Sequence, residues 1–283
     1  MEIRTITANG VDFAYLEMGR GPLALCLHGF PDTAHTWRHL LPELADRGYR
    51  AVAPFMRGYA PTSVPADGAY EGGALVADAC ALHEALGGDG DAVLIGHDWG
   101  AFPAYGAPAF APERWRRAVA MAVPPPAAMI SSFFLYEQLK RSFYVFLFQT
   151  PLAETAASQE GFFEGLWRDW SPGYDAARDV AEVRRSLADP ANLTAAIGYY
   201  RAMLGAVPPT GRYTAEQAAT GGDVPILYLH GEGDGCLDPD LAVAAPAFLP
   251  PGSRMERVPG AGHFLHLERP KEVNGLILDW LRG

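Results

Sequence analysis

The string Ala92-Val93-Leu94-Ile95-Gly96-His97-Asp98-Trp99-Gly100 carries an apolar run of strand length into an acid flanked by two glycines. A run of small residues with helical character follows from Ala101. A side chain at so sharp a strand-to-helix turn stands in strained backbone and is presented to a cleft. Glycine is needed two positions to either side, because a Cβ there would collide with the neighbouring strand and helix. The helix that starts at the turn aims N–H groups and its positive end at developing negative charge. Helix capping would also put an acid here, but capping leaves the paired glycines unexplained.

Outward from this turn the chain alternates strands and helices. Residues 3–7 and 11–17 alternate as strands around the hairpin turn Asn9-Gly10. Residues 22–27 and 49–53 are apolar runs that fit buried strands, separated by a helical stretch, 36–46, closed by Gly48. Residues 72–86 form a helix, with Val76, Ala79, Cys80 and His83 spaced at three and four. Residues 117–123 make another apolar strand, broken by Pro124-Pro125-Pro126. From 127 to 222 the chain is helical and aromatic-rich. Residues 224–230 and 253–258 restore the strand signal, and 268–281 make a terminal helix. The expected class is therefore α/β, with a mostly parallel eight-stranded sheet flanked by helices and a helical cap inserted after the sixth strand. Residues 1–126 and 223–283 form the core domain in this scheme, and 127–222 the cap.

Composition sets the outer bounds. Of 283 residues, 49% are hydrophobic and 19% charged, enough to fill a core and too apolar for a disordered chain. Lys and Arg total 22 against 33 Asp and Glu, a net charge of −11. With no basic run, such a chain repels nucleic acid and anionic membranes. Cys26, Cys80 and Cys236 are scattered without CxxC spacing, which argues against a disulfide framework or zinc site and fits a reducing compartment. The stretch MEIRTITANG lacks the apolar centre of a signal peptide, and no apolar run approaches membrane-spanning length. A cytoplasmic location is expected, with neither cofactor nor metal.

Two further strings complete a site. His28-Gly29-Phe30-Pro31 follows the third strand, and Gly260-Ala261-Gly262-His263-Phe264 lies between the last strand and the terminal helix. A histidine in a glycine-rich turn can reach over a cleft. With Gly96-His97-Asp98-Trp99-Gly100-Ala101, these strings resemble the α/β-hydrolase superfamily. Within it they look like the epoxide hydrolase and haloalkane dehalogenase branch, whose nucleophile is an aspartate. The resemblance covers nearly the whole chain, with the helical block as that family's cap.

It implies that Asp98 is the nucleophile, His263 the base, and the backbone N–H groups of Phe30 and Trp99 the oxyanion donors. Losing such a donor typically costs about 10²–10³ in rate. The carboxylate that orients the histidine follows either the sixth or the seventh strand in this family. After the sixth strand comes Val123-Pro124-Pro125-Pro126-Ala127, with no acid. After the seventh, Gly231-Glu232-Gly233-Asp234 matches the family's Gly-x-x-Asp pattern at Asp234, with Asp238 the runner-up and Glu232 behind it. A carboxylate nucleophile attacks a saturated carbon and leaves an alkyl-enzyme ester, which water activated by His263 then cleaves. A serine at 98 would have implied ester hydrolysis.

Substrate class is carried by the cap. Epoxide hydrolases usually supply two cap tyrosines to the ring oxygen. Tyr199-Tyr200-Arg201 resembles the family's second tyrosine string and maps onto Tyr200. The first string reads Leu147-Phe148-Gln149-Thr150-Pro151, without its usual tyrosine, and Tyr144 lies three residues earlier on the same helical face. A dehalogenase needs only halide donors, for which Trp99 and either Trp167 or Trp170 are candidates. Trp99, Phe102 and Pro103 stand where haloacetate enzymes carry arginines, which argues against a carboxylate-bearing substrate. Epoxide hydrolysis to a vicinal diol is the leading expectation. Haloalkane displacement and a ligand-binding protein with a relic site are the alternatives. The expected partner is a small, largely apolar, uncharged substrate, and a homodimer is allowed. Arg57, His28 and His97 read as structural.

Overall fold

In the computed structural model, which describes residues 2–129, 133–214, 217 and 221–283, Asn9 and Gly10 turn the chain with φ of 47° and 72°. Strand β1 (Ile3–Ala8) thereby pairs antiparallel with β2 (Val11–Gly19), Ala8 opposite Val11. The other strands are β3 (Leu23–Leu27), β4 (Arg50–Pro54), β5 (Val93–His97), β6 (Arg117–Met121), β7 (Ile226–Gly231) and β8 (Arg254–Val258). They form one eight-stranded sheet in the order β1-β2-β4-β3-β5-β6-β7-β8. The pairs β1–β2 and β2–β4 are antiparallel and the rest parallel. Every residue of β3, β5 and β7 is buried, as a sheet covered on both faces requires. The exposed edge strands β1 and β8 carry the polar residues.

Helices α1 (Leu40–Asp46), α2 (Gly72–Ala85) and α3 (Ala101–Phe110) connect the first six strands. Between β6 and β7 the described residues form helices only: α4 (Pro126–Met129), α5 (Tyr136–Arg141), α6 (Phe143–Leu147), α7 (Ala153–Ala157), α8 (Phe162–Trp170), α9 (Ala177–Ser186) and α10 (Pro190–Met203). Residues 130–132, 215, 216 and 218–220 of the segment read as a cap lie outside the described residues. Helices α11 (Leu265–Glu268) and α12 (Pro270–Arg282) finish the chain. Among the described residues no helix is long and apolar enough to cross a membrane.

Two boundaries differ from the sequence expectation. The stretch expected as one helix over 36–46 begins earlier, as a 3₁₀ turn (Ala34–His39) capped by the Thr33 side chain. The terminal helix starts at Pro270 and not at 268, because proline lacks the N–H that would continue α11 and pushes Arg269 out of helical geometry, to φ −129° and ψ 54°.

Glycine fixes where β5 meets its neighbours. A Cβ on Gly96 would stand 1.9 Å from the Gly100 carbonyl oxygen, and one on Gly100 2.1 Å from that of Leu27 at the end of β3. Backbone cannot yield as a side-chain tip does, so Gly96→Ala should destabilise the fold by at least about 3 kcal/mol, the upper range of overpacking. By contrast, Gly275 in α12 has nothing within 4 Å of its would-be Cβ, and Gly275→Ala should stabilise by about 0.5–1 kcal/mol. Denaturant melts of both variants check the contrast, and equal midpoints would contradict it.

Candidate active site

Asp98 sits at the β5-to-α3 turn with φ of 52°, a left-handed conformation uncommon for a residue with a Cβ. That backbone lifts its carboxylate off the sheet and away from capping α3, for no side-chain cap is made there. Asp98 Oδ1 instead accepts a 2.7 Å hydrogen bond from the Phe30 N–H, short as such bonds to a charged acceptor are. A Cβ on Gly29 would stand 2.2 Å from Asp98 Oδ1 and 2.6 Å from Trp99 N, so only glycine lets the loop after β3 close on the turn. His28 props that loop. Its Nε2 accepts from the Met56 N–H at 2.9 Å and its Nδ1 donates to the Gly29 carbonyl at 2.8 Å. Burial holds its pKa down, to about 4, so the ring stays a neutral prop.

His263 reaches Asp98 from the loop after β8. Its Nε2 lies 3.5 Å from Asp98 Oδ2 and its Nδ1 donates to Asp234 Oδ2 at 2.9 Å. Asp234 Oδ1 accepts from the N–H groups of Cys236 and Leu237 at 2.7 and 3.0 Å. Burial would raise the Asp234 pKa, but the His263 charge and hydrogen bond hold it below the usual carboxylate range. Burial would likewise lower that of His263. The charge and hydrogen bond of Asp234, then those of Asp98, override it and push His263 up to about 10. Asp238 takes no part. It accepts from the Asp240 N–H at 3.0 Å and pairs with Arg141 at 3.5 Å. Glu232 faces Arg257, 3.9 Å away.

Tyr144 and Tyr200 line the cavity over Asp98, with Trp99, Cys236 and seven further apolar residues plus Ser142. Both tyrosines are buried. Burial, with the Asp98 charge adding to it, raises both phenols well above their ordinary value, so they are proton donors. Tyr144 Oη lies 3.5 Å from Cys236 Sγ. Tyr200 Oη meets no hydrogen-bond partner in good geometry among the described residues, with the Trp99 indole as its polar neighbour. Tyr199, next to it in α10, points elsewhere and donates to the Arg57 carbonyl at 2.9 Å. Neither Trp167 nor Trp170 lines the cavity, and the Trp167 N–H is bound to the Pro31 carbonyl at 2.9 Å. Arg57 is buried and bridged to Asp78, at 2.5 and 2.6 Å, a structural pairing.

Several contributors were not foreseen from sequence. Cys236, Met129, Phe133 and Met203 enter the cavity lining from three separate segments. Behind His263, Asp32, His97 and His266 bring one carboxylate oxygen and two imidazole nitrogens within 4.8 Å of one another, all buried. Those donor types suit a divalent cation. Burial, with the Asp179 charge adding to it, also pushes Asp32 well above the usual carboxylate range, and a neutral carboxyl can share its proton with an imidazole. His97 Nε2 donates to the His263 carbonyl at 2.9 Å and so helps fix the loop that carries His263.

A carboxylate at a glycine-flanked turn, a backbone N–H from the loop after β3 bound to it and a carboxylate-oriented imidazole, built on this strand order, define an α/β hydrolase. The chain belongs to that family: the model of the α/β-hydrolase fold matches residues 22–270. It is 31% identical to epoxide hydrolase A of Mycobacterium tuberculosis, over 99% of this chain and 97% of that protein. It is also 31% identical to epoxide hydrolase 3 of Xenopus tropicalis, over 97% of this chain and 76% of the relative. The crystal structure of an epoxide hydrolase of Bacillus megaterium with an inhibitor superposes with a TM-score of 0.82 at 27% identity, covering 99% of this chain and 100% of that one.

The His263 charge makes stability depend on pH. Its folded value of about 10 exceeds the ordinary 6.5, so its contribution is complete below pH 6.5 and is lost as pH rises through 10. Over that window the thermal midpoint of the wild type should fall by several degrees more than that of His263→Gln. Parallel curves would mean that the folded protein carries no such charge.

Proposed function

We propose that the protein hydrolyses epoxides to vicinal diols through a covalent ester on Asp98. The observation that carries this reading is the cavity itself, where two protonated phenols, Tyr144 and Tyr200, share a lining with the Asp98 carboxylate. Halide departure needs no proton, whereas an opening epoxide leaves charge on an oxygen that stays attached and must be protonated. The similarity to epoxide hydrolases over the full chain supports the same chemistry.

Asp98 Oδ1 is held by the Phe30 N–H and Oδ2 faces His263, which makes Oδ2 the attacking atom. It forms a bond to a ring carbon, the carbon–oxygen bond of the ring breaks, and the oxygen takes the Tyr200 proton. Oδ1 becomes the ester carbonyl, already seated among the oxyanion donors. Alkylation also removes the Asp98 charge, one of the two that hold a proton on His263. The imidazolium therefore gives up its proton more readily, restoring the Tyr200 phenol that ring opening left as a phenolate, and the neutral imidazole is free to act as base. It takes a proton from water, the hydroxide adds to the Asp98 carbonyl, the bond from that carbon to Oδ2 breaks, and the departing oxygen takes the carboxyl proton, which releases the diol and leaves Asp98 ionised.

In this reading α4–α10 act as a cap over the core, the substrate is small, apolar and uncharged, and the protein is cytoplasmic. The three buried free thiols suit that last assignment.

Single turnover in ¹⁸O-water should place label in the Asp98 carboxylate, read by peptide mass. Label confined to the product, with Asp98→Ala still active, would sink the covalent mechanism. His263→Gln should accumulate the alkyl-enzyme as an intact-mass adduct. Tyr200→Phe should slow alkylation by an epoxide about 10²–10⁴-fold in rapid-quench experiments. Wild-type alkylation in that variant, together with halide release from a haloalkane, would favour the dehalogenase alternative.

A further inference from the structure

The cavity over Asp98 is small, and part of its wall is shared. Its volume is about 40 Å³, small beside the roughly 300–1,000 Å³ of a typical ligand pocket. Phe102, Met129, Phe133 and Met203 line it, and the same four side chains line a second hollow of about 230 Å³. Pro126, Phe134 and Leu204 also line that hollow, and among the described residues none of the seven that line it carries a charge or a hydrogen-bonding side chain. Its rim reaches water, with Phe134 65% and Leu204 37% exposed. Contiguous apolar surface of this kind marks a binding site more often than bare surface. The four side chains it shares with the Asp98 cavity say what it binds.

On the reading of this protein as an epoxide hydrolase, we propose that its substrates are terminal epoxides on an uncharged apolar chain, with the ring against Asp98 and the chain in the outer hollow. The Asp98 cavity has room for the ring and little else, which disfavours an epoxide substituted at both carbons. The chain passes the four shared side chains. Two are methionines, whose three rotatable bonds let them yield to a hydrocarbon. A charged chain would lose hydration in a hollow that offers no counter-ion. Asp98 Oδ2 then bonds to the terminal ring carbon, that carbon's bond to oxygen breaks, and the oxygen takes the Tyr200 proton.

The test is kcat/KM along the terminal epoxides of butane, hexane and decane, with a trans-internal epoxide of decane for comparison. Each methylene buried should raise kcat/KM about fourfold, so the decane compound should exceed the butane one at least a hundredfold. The internal isomer should be at least tenfold slower than the terminal one. Leu204→Asp should lower the decane-to-butane ratio at least tenfold. Leu152→Asp, equally apolar to charged but exposed elsewhere on the helices between β6 and β7, should leave the ratio alone. A flat series with normal turnover of the butane epoxide would overturn this inference and leave the epoxide reading standing. So would a preference for the internal isomer, or a ratio indifferent to Leu204→Asp. Turnover of none of the epoxides would remove the reading and the inference together.

Discussion

Three stretches of backbone meet at Asp98 with no space for a Cβ at their contacts, and the site follows from that crowding. Gly96 lies against the start of α3, Gly100 against the end of β3, and Gly29 against the Asp98 carboxylate itself. Because the strands are parallel and fully buried, their ends cannot move apart to relieve a collision. The turn is thereby forced into a left-handed conformation, which projects the carboxylate over the sheet edge and onto the Phe30 N–H. The same device recurs under the histidine. A Cβ on Gly231 would stand 2.1 Å from the Gly262 carbonyl oxygen, and one on Gly262 2.6 Å from that of Trp170.

Burial then makes the chemistry electrostatic. His263 and Asp234 are shut off from water, where a charge persists only if it is paired. Asp234 has both an imidazole and two backbone N–H groups on it. His263 lies between two carboxylates. Loss of charge at either one changes what the imidazole can do. The phenols respond to the same dryness in the opposite sense, for burial keeps them protonated. One environment thus keeps the phenols protonated, while its two carboxylates keep a proton on His263.

The helices between β6 and β7 hold the site from above by aromatic packing. Phe30, whose N–H binds the Asp98 carboxylate, has ring neighbours in Tyr144, Phe148, Phe163 and Tyr200. Trp167 stacks on Phe264, the residue after His263, and binds the Pro31 carbonyl. One helix, α8, therefore touches both the loop after β3 and the loop that carries His263. This explains why tryptophans that look like halide donors in the sequence serve as struts.

The strand order of residue types, the hairpin at Asn9-Gly10 and the turn at Asp98 were legible in the sequence because each rests on local rules: burial periodicity, positive φ, and glycine where backbones touch. Chain position in a glycine-rich turn also singled out His263, and the resemblance to the family's Gly-x-x-Asp pattern singled out Asp234. Tertiary structure decided what depends on residues far apart in the chain. Asp234 and Asp238 are near neighbours with the same chemistry, and only the fold turns one to His263 and the other to Arg141. Tyr199 and Tyr200 are adjacent, yet the helix sends their side chains about 100° apart, one to Arg57 and one to the cavity. Cys236 and the four apolar residues between the two hollows had no sequence signal. A cavity wall is assembled from segments that share no period or motif, and its shape exists only once they pack.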